Sequence, residues 1–256
     1  MEIPEYSEIE LYPIQQIESK LVFQSTLLKH IRGSNFKKQA LFFVDNNQRK
    51  WFWKKLPFNS LVRECIVSFL ATELGIRVPQ SLIARKGHSI GIFQEWIDCE
   101  DLTSFSDVQL ILSNNTDLFD LFVFEAWIGA LDRHGGNYLT SHEGKLWGID
   151  FENCFSDISH GSELCLYFPW IKDSKKELKT SIEKLRNQIT EKCLLEIQDN
   201  FQNIVNVLQD PRAREALENQ LIEIIELLKH NLTQLDETVD TYLEKSFSNP
   251  KFILYT

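Results

Sequence analysis

The chain has 256 residues, of which 43% are hydrophobic and 25% are charged, and its net charge is −10 at pH 7. This composition is typical of a folded globular protein, and the length suffices for one large domain or two lobes. The negative charge argues against general nucleic-acid binding, because a phosphate backbone repels such a surface.

The five cysteines are scattered, odd in number and free of any C-x-x-C pair. This pattern favours reduced thiols in the cytoplasm over a disulfide framework or a zinc site. The acidic N-terminus shows no apolar secretory signal. The longest apolar run, residues 118–131, is interrupted by Asp120 and Glu125. A membrane-spanning segment is therefore not expected.

Residues 21–55 have the alternation of short strands joined by turns. A hairpin is predicted around Gly33-Ser34-Asn35, and a turn at Asn46-Asn47 leads into a strand over residues 50–54. The first hairpin contains one glycine and no G-x-G-x-x-G pattern. It therefore fits an ordinary surface hairpin as well as a loop that covers a ligand.

Two adjacent lysines, Lys54 and Lys55, end this strand. Strand side chains alternate between the two faces, so one lysine at most points towards a given site. A helix is predicted over residues 61–74, and Glu64 lies beside its apolar stripe. That position suits a carboxylate that pairs with a lysine more than a solvated acid. Glu73 is the competing acid, close to the helix end.

A second hairpin is predicted over residues 81–96, and it leads into a connector at Glu95-Trp96-Ile97-Asp98. The chain is strand-rich before this point and mostly helical after it. The predicted fold class is therefore α+β, with an N-terminal lobe over residues 1–97 and a C-terminal lobe over residues 98–256.

A strongly apolar helix, predicted over residues 118–131, runs into Asp132, and Asn137 follows after four intervening residues. This polar, glycine-rich segment would also suit a plain turn between a helix and a hairpin. Asp150, however, ends the apolar run of residues 146–149. A buried strand does not normally place an unpaired charge there. Three converging oxygen donors indicate a site.

Asp132, Asn137 and Asp150 have the layout that phosphoryl transfer requires. One carboxylate orients the attacking hydroxyl and accepts its proton, while an amide and a second carboxylate hold the magnesium that bridges the nucleotide phosphates. The spacing from Asp to Asn equals that of the protein-kinase catalytic loop. We therefore expect ATP and Mg²⁺ as cofactors, with one strand-end lysine on the phosphates.

The motifs of this region resemble those of a known superfamily. Asp132, His134 and Asn137 match the pattern Asp-x-His-x-x-Asn, and Asp150-Phe151-Glu152 stands in the place of Asp-Phe-Gly. These residues resemble the motifs of the phosphatidylinositol 3-/4-kinases and the HipA-like kinases, which share one atypical kinase fold. Glu152 departs from the glycine of that motif. The resemblance covers roughly residues 33–150 and implies a two-lobed, protein-kinase-like fold.

The resemblance also assigns roles to single residues. Lys54, at the end of an aromatic strand, is similar to the phosphate-binding lysine, with Glu64 as its partner and Lys55 as the alternative. The other implied roles are catalysis by Asp132, magnesium binding by Asn137 and Asp150, adenine binding by the backbone of Glu95, Trp96 and Ile97, and regulatory phosphorylation of Ser34. His134 is expected to be structural, holding the loop by hydrogen bonds.

The function that fits best is a HipA-like serine/threonine protein kinase with an unidentified protein substrate. A phosphoinositide kinase would present basic residues to an anionic membrane. Residues 151–170, the expected substrate-facing segment, contain no Lys or Arg. A pseudokinase that acts as a nucleotide-sensing interaction module, and a kinase-fold enzyme that transfers AMP, are the remaining alternatives.

Overall fold

The computed structural model describes residues 9–11, 42–44, 49–86, 89–101, 117–133, 135–141, 143–156, 171, 173–207 and 211–248. These residues form eight strands and six α-helices. The predicted combination of helices and strands is therefore confirmed. Among the helices of this described part, none is long and apolar enough to cross a membrane.

Five strands form one antiparallel sheet. They are β1 (Ile9–Leu11), β2 (Phe42–Val44), β3 (Lys50–Lys54), β4 (Ser81–Lys86) and β5 (Ser89–Glu95). Their order across the sheet is β1-β4-β5-β3-β2. In the register between β3 and β5, Lys54 lies opposite Ile92 and Trp51 lies opposite Glu95. The predicted strand at residues 50–54 and the predicted β4–β5 hairpin are both present.

Alternation along β3 places Trp51 and Trp53 on one face of the sheet and Lys54 on the other. Trp51 is fully buried, and the ring of Trp53 packs edge-on against Phe93 at 5.1 Å. Gly91 on β5 leaves the space for Trp53, because a Cβ at Gly91 would lie 2.5 Å from the tryptophan ring. Trp53 thus packs on the face of the sheet opposite to the Lys54 side chain.

Helix α1 (Phe58–Glu73) packs against this sheet. Its central residues are buried almost all round, including the acid Glu64. Gly75 follows with a φ of 65°, the left-handed backbone that commonly ends a helix. The helix begins three residues before the predicted start at Leu61, directly after Pro57.

A three-stranded antiparallel sheet, with order β6-β7-β8, follows the first sheet in the chain. Its strands are β6 (Cys99–Asp101), β7 (Tyr138–Ser141) and β8 (Leu146–Gly148). Between β6 and β7 lies helix α2 (Asp117–Trp127), nearly all of whose residues are buried. The predicted helix was too long: it ends at Trp127, and Gly129 has a φ of 59°.

Four further helices complete the described chain. They are α3 (Lys175–Gln188), α4 (Glu191–Val207), α5 (Pro211–Thr233) and α6 (Leu235–Ser248). A one-residue break at Gln234 separates α5 from α6. Among the apolar residues of α5, Leu221, Ile224 and Leu228 are buried, whereas Ile222 is half exposed.

Helices α5 and α6 support the segment that follows α2. Trp127 Nε1 donates to the carbonyl oxygen of Leu228 at 3.0 Å, and Asn231 Nδ2 donates to the carbonyl oxygen of Trp127 at 2.8 Å. Tyr242 donates its hydroxyl proton to the carbonyl oxygen of Ala130 at 3.0 Å. These buried hydrogen bonds hold the backbone at Trp127 and at Ala130, two residues before Asp132.

Candidate active site

The ammonium group of Lys54 lies at the centre of a cluster of carboxylates. Its Nζ is 3.0 Å from Glu64 Oε1, 2.8 Å from Asp150 Oδ1 and 2.7 Å from Glu152 Oε1. Lys55, the alternative, is exposed on the other side of the strand end. Strand alternation did not decide which of the two lysines points into the site. In the structure Lys54 is the one that contacts Glu64 and Asp150.

Glu64 is held in place from its second oxygen. Its side chain is 1% exposed, and Oε2 accepts a hydrogen bond from Gln94 Nε2 at 3.3 Å. Gln94 also donates to the hydroxyl of Ser81 at 3.1 Å. Because this amide spans β5 and β4, the carboxylate from α1 is tied to the sheet beneath Lys54.

The charges of the cluster shift the pKa values of its members. Burial alone would lower the pKa of Lys54, but the carboxylates of Glu64 and Asp150 outweigh it and raise that pKa above its ordinary value. Burial raises the pKa of Glu64, against the opposing charge of Lys54. Burial would also raise the pKa of Asp150, yet the charge of Lys54 lowers it. Lys54 is therefore charged at neutral pH.

Asp132 and Asp150 both have left-handed backbone. Their φ angles are 55° and 64°, a region that non-glycine residues rarely adopt, with Asp and Asn among the exceptions. Such conformations persist only where surrounding structure imposes them, and they cluster at functional sites. Both side chains are exposed. The two predicted acids therefore share an unusual backbone and access to solvent.

Arg133 joins the segments that carry the predicted site residues. Its Nη1 donates to the carbonyl oxygens of Ile149 at 2.7 Å and Asp150 at 3.2 Å, and Nη2 donates to the carbonyl oxygen of Asn137 at 3.4 Å. The backbone N–H of Ile149 also donates to the Asn137 carbonyl oxygen at 2.8 Å. The loop from Asp132 to Asn137 and the Asp150 segment thus meet around one guanidinium.

The charge of Arg133 is balanced by Glu125 of α2. Nε and Nη2 of Arg133 donate to Glu125 Oε1 at 3.0 and 2.7 Å, and the Tyr138 hydroxyl donates to Oε2 at 2.6 Å. The guanidinium also lies over the ring of Phe151, 4.3 Å from its centroid. Arg133 is fully buried, so it braces the loop and does not present its charge to a ligand.

Asn137 is buried at the end of a short 3-10 turn (Gly135–Asn137) that leads into β7. Its backbone is fixed by the bonds to Arg133 and Ile149 described above. The structure therefore brings Asn137 next to the Asp150 segment. Its exposure is low, which limits the solvent that reaches its amide.

Two backbone N–H groups of the connector at residues 95–98 already have acceptors within the protein. The backbone N–H of Glu95 donates to the carbonyl oxygen of Gln80 at 2.8 Å, and that of Trp96 donates to the carbonyl oxygen of Lys50 at 2.7 Å. These two donors are already used within the sheet. The adenine contact at this connector remains a prediction, and these two N–H groups are not available for it.

Two further predicted residues, Ser34 and His134, lie outside the described residues. Sequence reasoning also missed two participants in the site. Glu125 was noted only as an interruption of an apolar run, although a lone acid on a buried helix is itself a signal of a partner. Glu152 was noted as a departure from a motif, and its contact with Lys54 could not be read from the sequence.

No protein-family model matches the chain. No curated protein matches it in sequence either. Solved structures, in contrast, are similar. The crystal structure of the proinflammatory kinase CtkA from Helicobacter pylori aligns with a TM-score of 0.54 and 15% identity, over 88% of this chain and 96% of that chain. The chain has a kinase-like fold.

Two other structures align over most of this chain. The N-terminal 618-residue fragment of LepB from Legionella pneumophila has a TM-score of 0.51 and 14% identity, over 79% of this chain and 46% of that chain. A complex of HipA, HipB and operator DNA from Shewanella oneidensis MR-1 has a TM-score of 0.48 and 14% identity, over 75% and 60% respectively. At these identities the likeness to CtkA and to LepB concerns the fold alone.

The acidic cluster has the chemistry of a cation site. Oxygen atoms of Glu64, Asp150 and Glu152 lie within 4.8 Å of one another. Three carboxylates against one lysine leave two excess negative charges when all are ionised. Carboxylate oxygens are the ligands that Mg²⁺ prefers, so the chemistry of this group of acids fits a divalent cation.

Proposed function

We propose that the protein is an ATP- and Mg²⁺-dependent phosphotransferase of the HipA-like type, acting on serine or threonine of a protein substrate. The observation that carries the proposal is the placement of Lys54 between Glu64 of α1 and Asp150 after β8. A lysine held by a helical carboxylate beside a metal-binding acid is the arrangement that kinases use to anchor nucleotide phosphates.

In this proposal the chain folds as two lobes, residues 1–97 and 98–256, with the nucleotide between them. ATP with Mg²⁺ would supply the transferable phosphoryl group and neutralise its charge. Lys54 binds the phosphates, and Glu64 fixes the direction of its ammonium group. Asn137 and Asp150 would hold the magnesium. The backbone at Ile97 is the expected contact for the adenine edge.

Asp132 is the proposed catalytic residue. Its exposed carboxylate orients the hydroxyl of the substrate and accepts the proton when the hydroxyl oxygen attacks. Arg133, the next residue, is fixed by Glu125 and holds the Asp150 carbonyl oxygen. The distance between the base and the metal-binding segment is thereby set by buried contacts and not by the flexibility of a surface loop.

A second candidate is a nucleotide-sensing module that transfers nothing. One observation favours it: Glu152 contacts Lys54 at 2.7 Å, where the Asp-Phe-Gly motif would have a glycine with no side chain. In that case nucleotide would bind and no labelled product would form.

The deciding experiment incubates the purified protein with γ-labelled ATP, Mg²⁺ and a cell lysate, and identifies any labelled product. The test variant is Asp132→Asn, because asparagine tolerates the left-handed backbone at this position and alanine does not. Asp240→Asn, an exposed residue of α6, is the matched control. Transfer by wild type and control but not by Asp132→Asn supports the proposal.

Two results would contradict it. Nucleotide binding without transfer would favour the sensing module. Equal labelling by wild type and Asp132→Asn would remove Asp132 from the mechanism. A parallel incubation with phosphoinositide vesicles distinguishes a lipid product from a protein product.

A further inference from the structure

Lys54 has as many carboxylate partners as it has protons to donate. An ammonium group carries three N–H donors and no acceptor. Its partners Glu64, Asp150 and Glu152 lie at 3.0, 2.8 and 2.7 Å. A phosphate oxygen that approaches this nitrogen must therefore replace one of the three.

The three contacts differ in how firmly the carboxylate is held. Glu64 is 1% exposed and is bound by Gln94 through its other oxygen. Asp150 follows β8 on backbone that Arg133 fixes through the Ile149 and Asp150 carbonyl oxygens. The side chain of Glu152 is 29% exposed, and water can solvate its carboxylate after it leaves Lys54. Asp150 is the more exposed of the two, at 49%, but Arg133 fixes its backbone and in the proposed function it holds the magnesium, so Glu152 is the partner left to be displaced.

We propose that Glu152 is a displaceable carboxylate that shields Lys54 from phosphate, so that an incoming nucleotide must exchange with it. The inference rests on the proposed function for the identity of the anion, and on the contacts of Lys54 for the shielding. Glu152 thereby sets the affinity of the site for nucleotide. A glycine at this position, as in Asp-Phe-Gly, would leave the third donor of Lys54 open.

Charge strengthens the competition. A phosphate that enters the cluster meets the negative carboxylates of Asp150 and Glu152 as well as the positive lysine. Removal of the Glu152 charge lowers this repulsion, and it also removes the carboxylate that competes with phosphate for Lys54. A divalent cation would offset the same repulsion, so the effect of Glu152 on nucleotide affinity is expected to be largest when divalent metal is absent.

The test compares wild type with Glu152→Gln, which keeps the size of the side chain, and Glu152→Ala, which removes its reach. Glu143→Gln is the matched control, because Glu143 also pairs with a lysine, Lys145, but in the exposed turn between β7 and β8. Thermal unfolding verifies that all variants are folded. Two readouts are used: the rate at which an amine-reactive reagent labels Lys54, followed by peptide mass spectrometry, and the binding of a fluorescent ATP analogue with EDTA or with Mg²⁺.

We expect both Glu152 variants to label Lys54 roughly threefold to tenfold faster, because loss of the Glu152 contact frees one donor of the amine and opens access to its nitrogen. In EDTA the nucleotide affinity should rise roughly tenfold, the size expected for loss of one competing charge-assisted contact. Glu143→Gln should behave as wild type in both readouts.

The possible failures are distinct. Unchanged labelling of Lys54 in both Glu152 variants would overturn the shielding. Unchanged affinity in EDTA with weaker binding in Mg²⁺ would also overturn it, and would make Glu152 a metal ligand. Faster labelling with no nucleotide bound by any of the proteins would leave the shielding intact and overturn the proposed function.

Discussion

Arg133 lies against Glu125 in the interior of the protein, with Nη2 2.7 Å from Oε1 and both side chains 1% exposed. The pair connects α2 to the loop that carries Asp132, because Glu125 belongs to the helix and Arg133 to the loop. Each charge depends on the other, since neither can be solvated by water where it stands.

Replacement of Arg133 by methionine is expected to lower the free energy of unfolding by about 3–5 kcal/mol, because it leaves the buried Glu125 carboxylate without its cation. The double variant Arg133→Met/Glu125→Met should recover part of this loss. The recovery is incomplete because the Ile149 and Asp150 carbonyl oxygens still lack their donor.

Urea unfolding followed by circular dichroism measures the stability of the single and the double variant. As a control, Lys145→Met breaks the exposed pair with Glu143 and should leave stability close to that of wild type. Equal effects at the two pairs would contradict the interpretation of Arg133 as a buried brace.

Lys54→Met should weaken both nucleotide binding and stability. We expect a loss of about 1–3 kcal/mol at neutral pH, because Glu64 remains buried while its cation is removed. Burial already raises the pKa of Glu64. The folded variant should therefore bind a proton that the unfolded chain releases near pH 4.3. The deficit relative to wild type should be small near pH 4–5 and should grow as the pH rises.

The measurement is urea unfolding of wild type and Lys54→Met between pH 4.5 and 7.5. Lys55→Met, the neighbouring exposed lysine, is the matched control and should be close to wild type at every pH. A deficit that is independent of pH would show that the lost stability does not come from the charge of Glu64.

Gly129→Ala should be far more damaging than a comparable change at another left-handed glycine. A Cβ at Gly129 would collide with the carbonyl oxygen of Ser156, a backbone atom. The left-handed backbone costs about 1–2 kcal/mol for alanine, and the clash adds about 1–3 kcal/mol.

At Gly75, the control position, the φ is 65°, and among the described residues no atom lies within 4 Å of the added Cβ. Gly75→Ala should therefore show the backbone cost alone. Similar melting temperatures for the two variants would contradict this packing.

Three buried thiols should resist alkylation in the native protein. Burial raises the pKa of Cys65 and Cys154 well above the ordinary range, and it raises the pKa of Cys193 to about 11. The thiolate is the reactive species, and an unfolded cysteine with a pKa near 8.5 is about half ionised at pH 8.5. Cys193 should therefore react on the order of a hundredfold more slowly than in the denatured chain, and the other two more slowly still.

The readout is iodoacetamide labelling at pH 8.5, quantified for each cysteine-containing peptide with and without guanidinium. The sign of the pH effect on stability follows from the same shifts. The unfolded chain loses these protons first, so the free energy of unfolding should fall as the pH rises above about 8.5. Rapid native labelling of Cys154 would place it at an accessible surface and would contradict its burial beside the site.

The sequence predicted those parts of the fold and site that depend on local periodicity. Glu64 could be placed because its position relative to the apolar stripe of α1 is fixed by 3.6 residues per turn. The end of α2 was missed because apolar side chains continue past Trp127, although Gly129 is a common helix terminator. The break at Gln234 has no Gly or Pro to mark it.

Contacts between distant segments could not be predicted. The bonds from Arg133 to Ile149 and Asp150, and the approach of Glu152 to Lys54, join residues that are 16 to 98 positions apart in the chain. Such contacts depend on how the sheets and helices pack, which a single sequence without aligned relatives does not specify. The sequence shows that Glu152 replaces the glycine of Asp-Phe-Gly. Only the structure shows that its carboxylate contacts Lys54.

The hydroxyl of Tyr242 and the side-chain amide of Asn231 donate to backbone carbonyl oxygens just before Asp132. Both residues are distant in the chain from every proposed site residue. The last two helices are thus a buttress for the proposed catalytic loop. A chain cut before α5, by proteolysis or by a premature stop codon, would retain Lys54, Asp132 and Asp150 and still lose the support that keeps Asp132 in position. Damage at the C-terminus should therefore appear as a loss of the proposed phosphotransfer, without any change in the residues proposed to perform it.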